Sequence, residues 1–288
     1  MLHYLDMKKY IADLLVIKNT QLNKIHHLLE LKAATPLPDM VPGQFVEVKV
    51  EGSDTTYLRR PFSIHRVDRK NNTLHLLIKI VGDGTRNLAA LKNGETVNVM
   101  FPLGKGFELT EHKEVLLVGG GCGVAPLYFL AEQLHAKGNK VNVLIGGRTA
   151  GDILLADQYN RFGNVYIATE DGSNGEKGMV TAHSVLHGDR DTTSDYTTPE
   201  DNLSIHFDKI YCCGPDGMMR AIAHYAEQRG VPCEVSLENT MACGIGACLC
   251  CVVESNEGNV CVCTEGPVFD SKKLKGWTKE TEVGCSLD

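Results

Sequence analysis

EVLLVGGGCGVAPLYFLAEQLH, residues 114–135, starts as an apolar strand that runs into glycines. From Ala125 to His135 the apolar positions recur at helical spacing. VNVLIGG (141–147) repeats the strand-to-glycine pattern, and VYIAT (165–169), KIYCCG (209–214) and CEVSLE (233–238) extend the series. Helical segments fit between most of these strands. The alternation predicts an open parallel sheet with helices on both faces, an α/β Rossmann-like domain spanning 111–238. Such sheets bind ligands beyond the carboxyl ends of their strands. Gly120, Gly121 and Gly123, in the run 119–123, occupy one such end, and Cys213, Gly214 and Pro215 occupy another. The run is not a full G-x-G-x-x-G, since Val124 stands where the last glycine belongs. Pro215 suits the start of a helix, where its missing N–H is not needed.

Upstream the rhythm changes. VEVKV (46–50), LHLLIKI (74–80) and ETVNVM (95–100) read as short strands separated by turn signals at PGQ, KNN and KNG. No long helical period interrupts them after residue 40, so residues 1–110 are expected to form a small antiparallel β-barrel. Arg59-Arg60-Pro61-Phe62-Ser63-Ile64 falls between two strand candidates. Arginine offers rigid bidentate contacts to phosphate, and serine adds a hydroxyl donor. Gly82-Asp83-Gly84-Thr85 precedes a short helical segment, a pattern that suits phosphate nests. Each signal is also common in plain surface arginines and turns. DRDTTSDYTTPEDNL, between Gly188 and Ser204, is polar and reads as a surface loop.

Downstream, the cysteines are unevenly placed. The chain has 11, of which positions 1–211 hold only Cys122 and six lie from Cys243 to Cys263. Cys243, Cys248 and Cys251 follow C-x4-C-x2-C, with Cys263 twelve residues on, the plant-type [2Fe–2S] spacing. A tight loop can supply three thiolates to the two irons, and a distant segment brings the fourth. Gly244 and Gly246 let the loop wrap closely. Zinc takes four thiolates too, but it favours separated C-x2–4-C pairs. Cys261 competes with Cys263, because the two lie on the same side of a probable strand, and Cys250 adjoins Cys251. Spacing alone does not choose between them. Cys122, Cys212 and Cys233 read as small buried hydrophobes. The segment 239–288 has too little apolar mass for a core of its own, so a metal centre is expected to help organise it.

The bulk numbers narrow the function further. The chain has 288 residues, 43% of them hydrophobic, enough for two domains and a small appendage. A net charge of −7, with no basic tract, argues against a nucleic-acid partner. No apolar run reaches the roughly 18 residues that span a membrane. The first residues mix Asp and Lys into an apolar stretch, unlike a secretory signal, so a cytoplasmic location is expected. In a reducing compartment, clustered thiols point to metal rather than disulfides.

Arg60-Pro61-Phe62-Ser63, Gly84-Thr85, Gly119 to Pro126 and Cys213-Gly214-Pro215 occur in the order that resembles the ferredoxin–NADP reductase superfamily. The tail, Glu238-x-x-Met241-Ala242-Cys243-Gly244-Ile245-Gly246-Ala247-Cys248 and Cys263-Thr264-Glu265-Gly266-Pro267-Val268-Phe269, is similar to electron-transfer subunits of the NAD-linked class 1B dihydroorotate dehydrogenases. The resemblance spans roughly residues 20–270 and implies FAD on the barrel. Arg60 to Ser63 would contact the pyrophosphate and ring, Leu77, Ile78 and Lys79 would line the flavin, and Gly84 and Thr85 would hold phosphates. It implies NAD(H) at Gly120, Gly121, Gly123 and Cys213 to Pro215, with Glu238 near the nicotinamide or flavin edge. It places the cluster on Cys243, Cys248, Cys251 and Cys263, leaving Cys261 as an extra.

The implied partner is an FMN-containing dihydroorotate dehydrogenase catalytic subunit, in a complex with two copies of each chain. Electrons would pass from its FMN through [2Fe–2S] and FAD to NAD⁺. A flavin can exchange electrons singly or in pairs, so it can link a one-electron cluster to a hydride carrier. No residue of this chain is expected to abstract the substrate proton. The runner-up is a subunit of a related NAD(P)H-dependent ferredoxin, sulfide or sulfite reductase complex. Three features depart from the family pattern: Cys122 and Cys250 at unusual positions, a long 189–203 loop, and a stretch before about residue 20 that reads as an N-terminal extension.

Overall fold

The computed structural model describes residues 8–187 and 205–277. The polar 189–203 loop and Cys285 lie outside the described residues. Six strands close a barrel: β1 (Tyr10–Gln21), β2 (His26–Lys32), β3 (Phe45–Val48), β4 (Arg60–Asp68), β5 (Thr73–Lys79) and, after helix α1 (Asp83–Ala89), β6 (Thr96–Leu103). Their order around the barrel is β1-β2-β5-β4-β3-β6, every pairing antiparallel. Alternate residues point inward. Leu14, Val16, Leu29, Val46, Ile64, Leu76 and Val99 are buried together in one core.

Two sequence expectations need correction here. Residues 1–7 lie outside the described residues, but from Tyr10 on, the stretch expected to be an N-terminal extension is part of the barrel, because β1 pairs with both β2 and β6 and so closes it. It is hard to read as a strand because its outward residues Ile11, Leu15 and Ile17 are also apolar, which blurs the two-residue period. The Arg60–Ser63 segment does not lie between strands. It opens β4, where Pro61 faces Glu47 across the β3–β4 ladder. A proline is tolerated near the start of a strand.

The second unit is a seven-stranded sheet ordered β10-β9-β8-β7-β11-β12-β15. It alternates β7 (Glu114–Gly120), α2 (Val124–Ala136), β8 (Lys140–Gly147), α3 (Ala156–Tyr159), β9 (Gly163–Thr169), β10 (Glu176–Lys177), α4 (Ser184–His187), β11 (Lys209–Cys213), α5 (Asp216–Gln228) and β12 (Cys233–Ser236). Six of the strands run parallel, as expected from the alternation. Leu116 and Val118 pack on the α5 face, where Met219, Ile222, Ala223 and Ala226 form an i, i+3, i+4, i+7 stripe. Val115 and Leu117 face α2.

The helix α2 is buried on nearly every side because it lies between the sheet and the barrel. Phe129 reaches the barrel core, and His65 on β4 donates from Nδ1 to the Ala125 carbonyl at 3.0 Å. Burial holds His65 down to about 4, so it remains neutral.

The last segment forms the hairpin β13 (Val252–Ser255) and β14 (Gly258–Cys261), the turn α6 (Val262–Glu265) and β15 (Val268–Asp270). It does not stand apart. β15 adds antiparallel to β12 as an edge strand, and Cys251, Val262, Cys263, Leu274 and Trp277 join the core on the α5 side. The scarcity of apolar residues is met by borrowing this neighbouring core.

Because β1 closes the barrel, Leu14→Ala should destabilise the protein by about 2–5 kcal/mol. Ile17→Ala, on the outer face, should stay within about 0.5 kcal/mol. Denaturant midpoints of the purified holoprotein check this, and an appendage would make both changes neutral.

Candidate functional site

Arg60, at the head of β4, and Gly84, in the first turn of α1, lie close together. A Cβ at Gly84 would lie 2.9 Å from Thr56 Cγ2 and 3.3 Å from Arg60 Nε. The absent side chain therefore leaves a small cradle beside a guanidinium, which suits a phosphate oxygen. The Thr85 hydroxyl is committed to the turn. It accepts from the N–H groups of Val81 (2.8 Å) and Gly82 (3.1 Å) and donates to the Gly82 carbonyl (3.0 Å). Thr85 thus shapes the cradle, and the segment presents its backbone. Thr56 was not singled out from sequence, because nothing in a lone threonine announces that it packs under a glycine.

Phe62 and Ser63 are half-buried on β4. On β5, Leu77 is buried against the nucleotide-sheet core while Ile78 points into the barrel. Ile78 can therefore offer a ligand only its backbone. Lys79 is exposed and borders a cleft of about 530 Å³ whose other walls come from the parallel sheet.

That cleft is lined by Gly120, Gly121, Gly146, Gly147, Arg148, Asp152, Glu170, Thr181, Pro215 and Met218, among others. Its floor is almost bare backbone. A Cβ at Gly123 would strike the Cys213 carbonyl oxygen at 2.2 Å, and one at Gly120 would meet Met218 Sδ at 2.7 Å. Gly121 has φ +55° and open space around it. The two strand ends thus approach backbone to backbone, leaving room above for a flat ligand. The Gly146–Gly147 turn was visible in sequence as the second strand-to-glycine pattern. Arg148, Asp152 and Glu170 carried no such signal.

Glu238 follows β12, and its side chain opens to solvent along one edge. Burial of its carboxyl raises its pKa, with Lys79 pulling the other way. Cys122 is pushed up to about 12 chiefly by its own burial and then by the Glu238 charge, and Cys213 is raised by the same two causes in the same order. Both are neutral thiols beside the cleft, and Glu238 and Lys79 are the charged groups at this end.

The cysteine loop sits beyond the barrel. Gly244 and Gly246 adopt φ +68° and +83°, which only glycine takes without strain. The thiols fall into two contacting pairs, Cys243 with Cys248 and Cys251 with Cys263. A diiron rhomb calls for that arrangement, with two thiolates for each iron. The Gly246 N–H donates to Cys263 Sγ at 3.1 Å, and the Cys263 N–H donates to Cys251 Sγ at 3.3 Å. Burial opposes ionisation of Cys243, but the N–H groups of Ile245, Cys248 and Ala247 and the Cys248 thiol outweigh it, holding the thiol at about 6. Among the described residues, no three His, Cys, Asp or Glu side chains gather around a single-ion site. Cys261 also reaches Cys251, from the half-exposed end of β14. Cys250 is exposed.

Comparison with known proteins agrees with this division. Residues 13–107 match an oxidoreductase FAD-binding domain, 117–224 an oxidoreductase NAD-binding domain, and 238–275 the iron-sulfur cluster binding domain of dihydroorotate dehydrogenase B. The dihydroorotate dehydrogenase B (NAD(+)) electron transfer subunit of Fusobacterium nucleatum is 38% identical over 90% of this chain and 96% of its own length. That of Shouchella clausii is 38% identical over 91% and 97%. The chain belongs to the family of dihydroorotate dehydrogenase B electron-transfer subunits. A solved NADH-dependent reduced ferredoxin-NADP oxidoreductase matches with a TM-score of 0.78 and 27% identity, over 91% of this chain and 89% of that one. The three matching domains give this chain sites for FAD, NAD(H) and a [2Fe–2S] cluster. No helix among the described residues is long and apolar enough to cross a membrane.

The cluster site yields a test of ligand choice. Cys263→Ser should abolish most bound iron and sulfide, whereas Cys261→Ser and Cys250→Ser should leave the [2Fe–2S] electron paramagnetic signal near the wild-type level. Metal analysis and EPR of anaerobically purified protein provide the measurement.

Proposed function

We propose that this chain takes electrons from a separate dihydroorotate-oxidising subunit and delivers them to NAD⁺. The observation that carries the reading is the position of the four-cysteine loop. It leans on β3 and β6 of the barrel, one strand away from Arg60–Ser63, with Gly244 against Glu47 and Leu103. An exchange confined to FAD and NAD needs no iron–sulfur centre, so a cluster site here points outward to another redox protein.

In this reading Arg60 and the Gly84–Thr85 turn hold the FAD pyrophosphate, and Pro61, Phe62, Ser63 and Leu77 form the wall beside its ring. Lys79 and Glu238 frame the entrance to the cleft, and the Ile78 backbone completes the wall. Gly120, Gly121 and Gly123 admit NAD(H) against bare backbone, with Cys213, Gly214 and Pro215 on the opposite side. Cys243, Cys248, Cys251 and Cys263 hold the cluster. Bound together, FAD and the cluster supply the exchange between single electrons and the hydride pair of NAD(H). The neutral Cys122 and Cys213 thiols keep that end of the cleft free of a competing thiolate. No group on this chain is assigned to the substrate proton. That chemistry falls to the partner, which we take to be an FMN-containing catalytic subunit, with two copies of each chain in the complex.

Anaerobic mixing with NADH should bleach the flavin of this chain alone. Dihydroorotate should reduce NAD⁺ only when the catalytic subunit is added. Absence of bleaching, or NAD⁺-linked activity from the partner alone, would overturn the assignment. A native partner that reduces ferredoxin, sulfide or sulfite would move it to the runner-up complexes.

A further inference from the structure

Glu47 lies on β3 between Val46 and Val48, whose side chains fill the barrel core. It therefore points outward, yet it is 0% exposed, because the cysteine loop covers it. An ideal Cβ at Gly244 would lie 2.7 Å from Glu47 Cγ and 3.1 Å from Oε1, so the carboxyl sits directly behind the Cys243–Gly244 turn. Both carboxyl oxygens lack a hydrogen-bond partner among the described residues. Buried polar groups are rarely left this way, and each exception calls for a reason.

Burial pushes the Glu47 carboxyl up to about 7, with the nearby charged and titratable groups adding smaller effects: Arg59 and Arg60 lower it and Cys243 raises it, so the carboxyl is ionised in alkaline solution. Neither arginine bonds to the carboxyl. Arg59 donates to the Glu47 and Asn98 backbone carbonyls at 3.2 and 3.1 Å and to Asn98 Oδ1 at 2.5 Å. Arg60 donates to the Arg59 carbonyl at 3.2 Å, and its Nε faces Gly84. The Gly244 position meets the Glu47 side chain and Leu103, surroundings that offer the acid no polar partner. What distinguishes the position is its place between the cysteine loop and the strand that bears Arg60–Ser63.

We propose that Glu47 is a positioning residue for the iron–sulfur centre, placing behind the Cys243–Gly244 turn a carboxyl whose ionised form lowers the potential at which the cluster accepts an electron. The proposal rests on the cluster ligands given above. A cluster held by four thiolates is already negative, and one more electron adds to that charge. A nearby carboxylate in a poorly screened site disfavours the reduced form, so an electron arriving at the cluster is passed on rather than retained.

The test is an EPR-monitored redox titration of the anaerobically purified holoprotein in alkaline buffer, with iron and sulfide measured on the same samples. Glu47→Gln should keep the cluster and favour its reduced form by about tenfold, ~59 mV for a one-electron couple. Glu47→Asp, which keeps the charge, should retain most of the wild-type potential. If Glu47→Gln loads poorly, Glu47→Met fills the same space without charge and should show the same positive shift. A neutral variant with full cluster content and an unmoved potential would overturn the proposal. So would an aspartate variant that shifts as far as glutamine, since packing alone would then explain the effect. Failure of the cluster assignment on which it rests is distinguishable, because the wild-type protein would then show no [2Fe–2S] signal at all, whereas a different redox partner would leave the titration unchanged.

Discussion

The carbonyl of Gly266 accepts the N–H of Lys105 at 2.5 Å, and the next carbonyl, that of Pro267, accepts the N–H of Leu237 at 2.9 Å. From the very next residue, Val268, to Asp270 the same segment pairs with β12 as the edge of the sheet. Five consecutive residues therefore fasten the barrel, the nucleotide sheet and the cysteine segment to one another. The contact is close enough to dictate residue type. A Cβ at Gly104 would meet the Gly266 carbonyl at 2.7 Å, and one at Gly43 would meet Val268 Cγ2 at 2.7 Å. Electron transfer between bound groups needs fixed separations, and these hydrogen bonds set them. Cys263 lies in the turn α6 that leads into this segment, so its position follows from the same constraint.

The second junction works through packing. Arg66 and Glu132 form an ion pair at 2.9 Å between β4 and α2, but both are partly exposed, and such pairs contribute only about 0–1 kcal/mol. The apolar burial of α2 outweighs it, since burying a single Leu or Phe side chain contributes roughly 1.5–3 kcal/mol. α2 starts where Gly123 rests on the Cys213 carbonyl. The helix that seats the barrel on the sheet thus also positions the glycine turn of the cleft. Movement of the barrel against the sheet would open that turn, so cleft shape and domain placement are coupled.

Much of this was legible in the sequence, for identifiable reasons. The parallel sheet was readable because its central strands are apolar on both faces and end in glycine. The cysteine spacing was readable because ligand geometry restricts loop length. β1 was misread because Ile11, Leu15 and Ile17 mask its alternation. The Arg60–Ser63 strand was hidden by Pro61, whose place at a strand start only pairing reveals. Thr85 and Ile78 show a different limit, since sequence marks them as near the site but does not tell which way a side chain turns. Thr56, Arg148 and Glu170 come into place only through folding, and Glu47 looks like any alternating polar residue until the loop that covers it is in place.

The four cysteines divide into two physical classes, and the division explains how so small a segment can organise itself. Cys251 and Cys263 are buried in the core shared with α5, and they are positioned by packing and by the Cys263 N–H bond to Cys251. Cys243 and Cys248 lie in the more open part of the loop, Cys248 being exposed. Half of the site is therefore set by the protein core, and the other half needs the bound centre to hold it. The N–H groups gathered around Cys243 favour its thiolate before any metal arrives, whereas burial, then Cys251, pushes Cys263 up to about 12. In the proposed site, binding would displace that proton, and metal–thiolate bonding would supply the energy that joins the buried pair and the open pair. The fold thus supplies one pair from the core shared with α5, while the Gly244 turn seats the other pair's loop against Glu47 and Leu103 of the barrel.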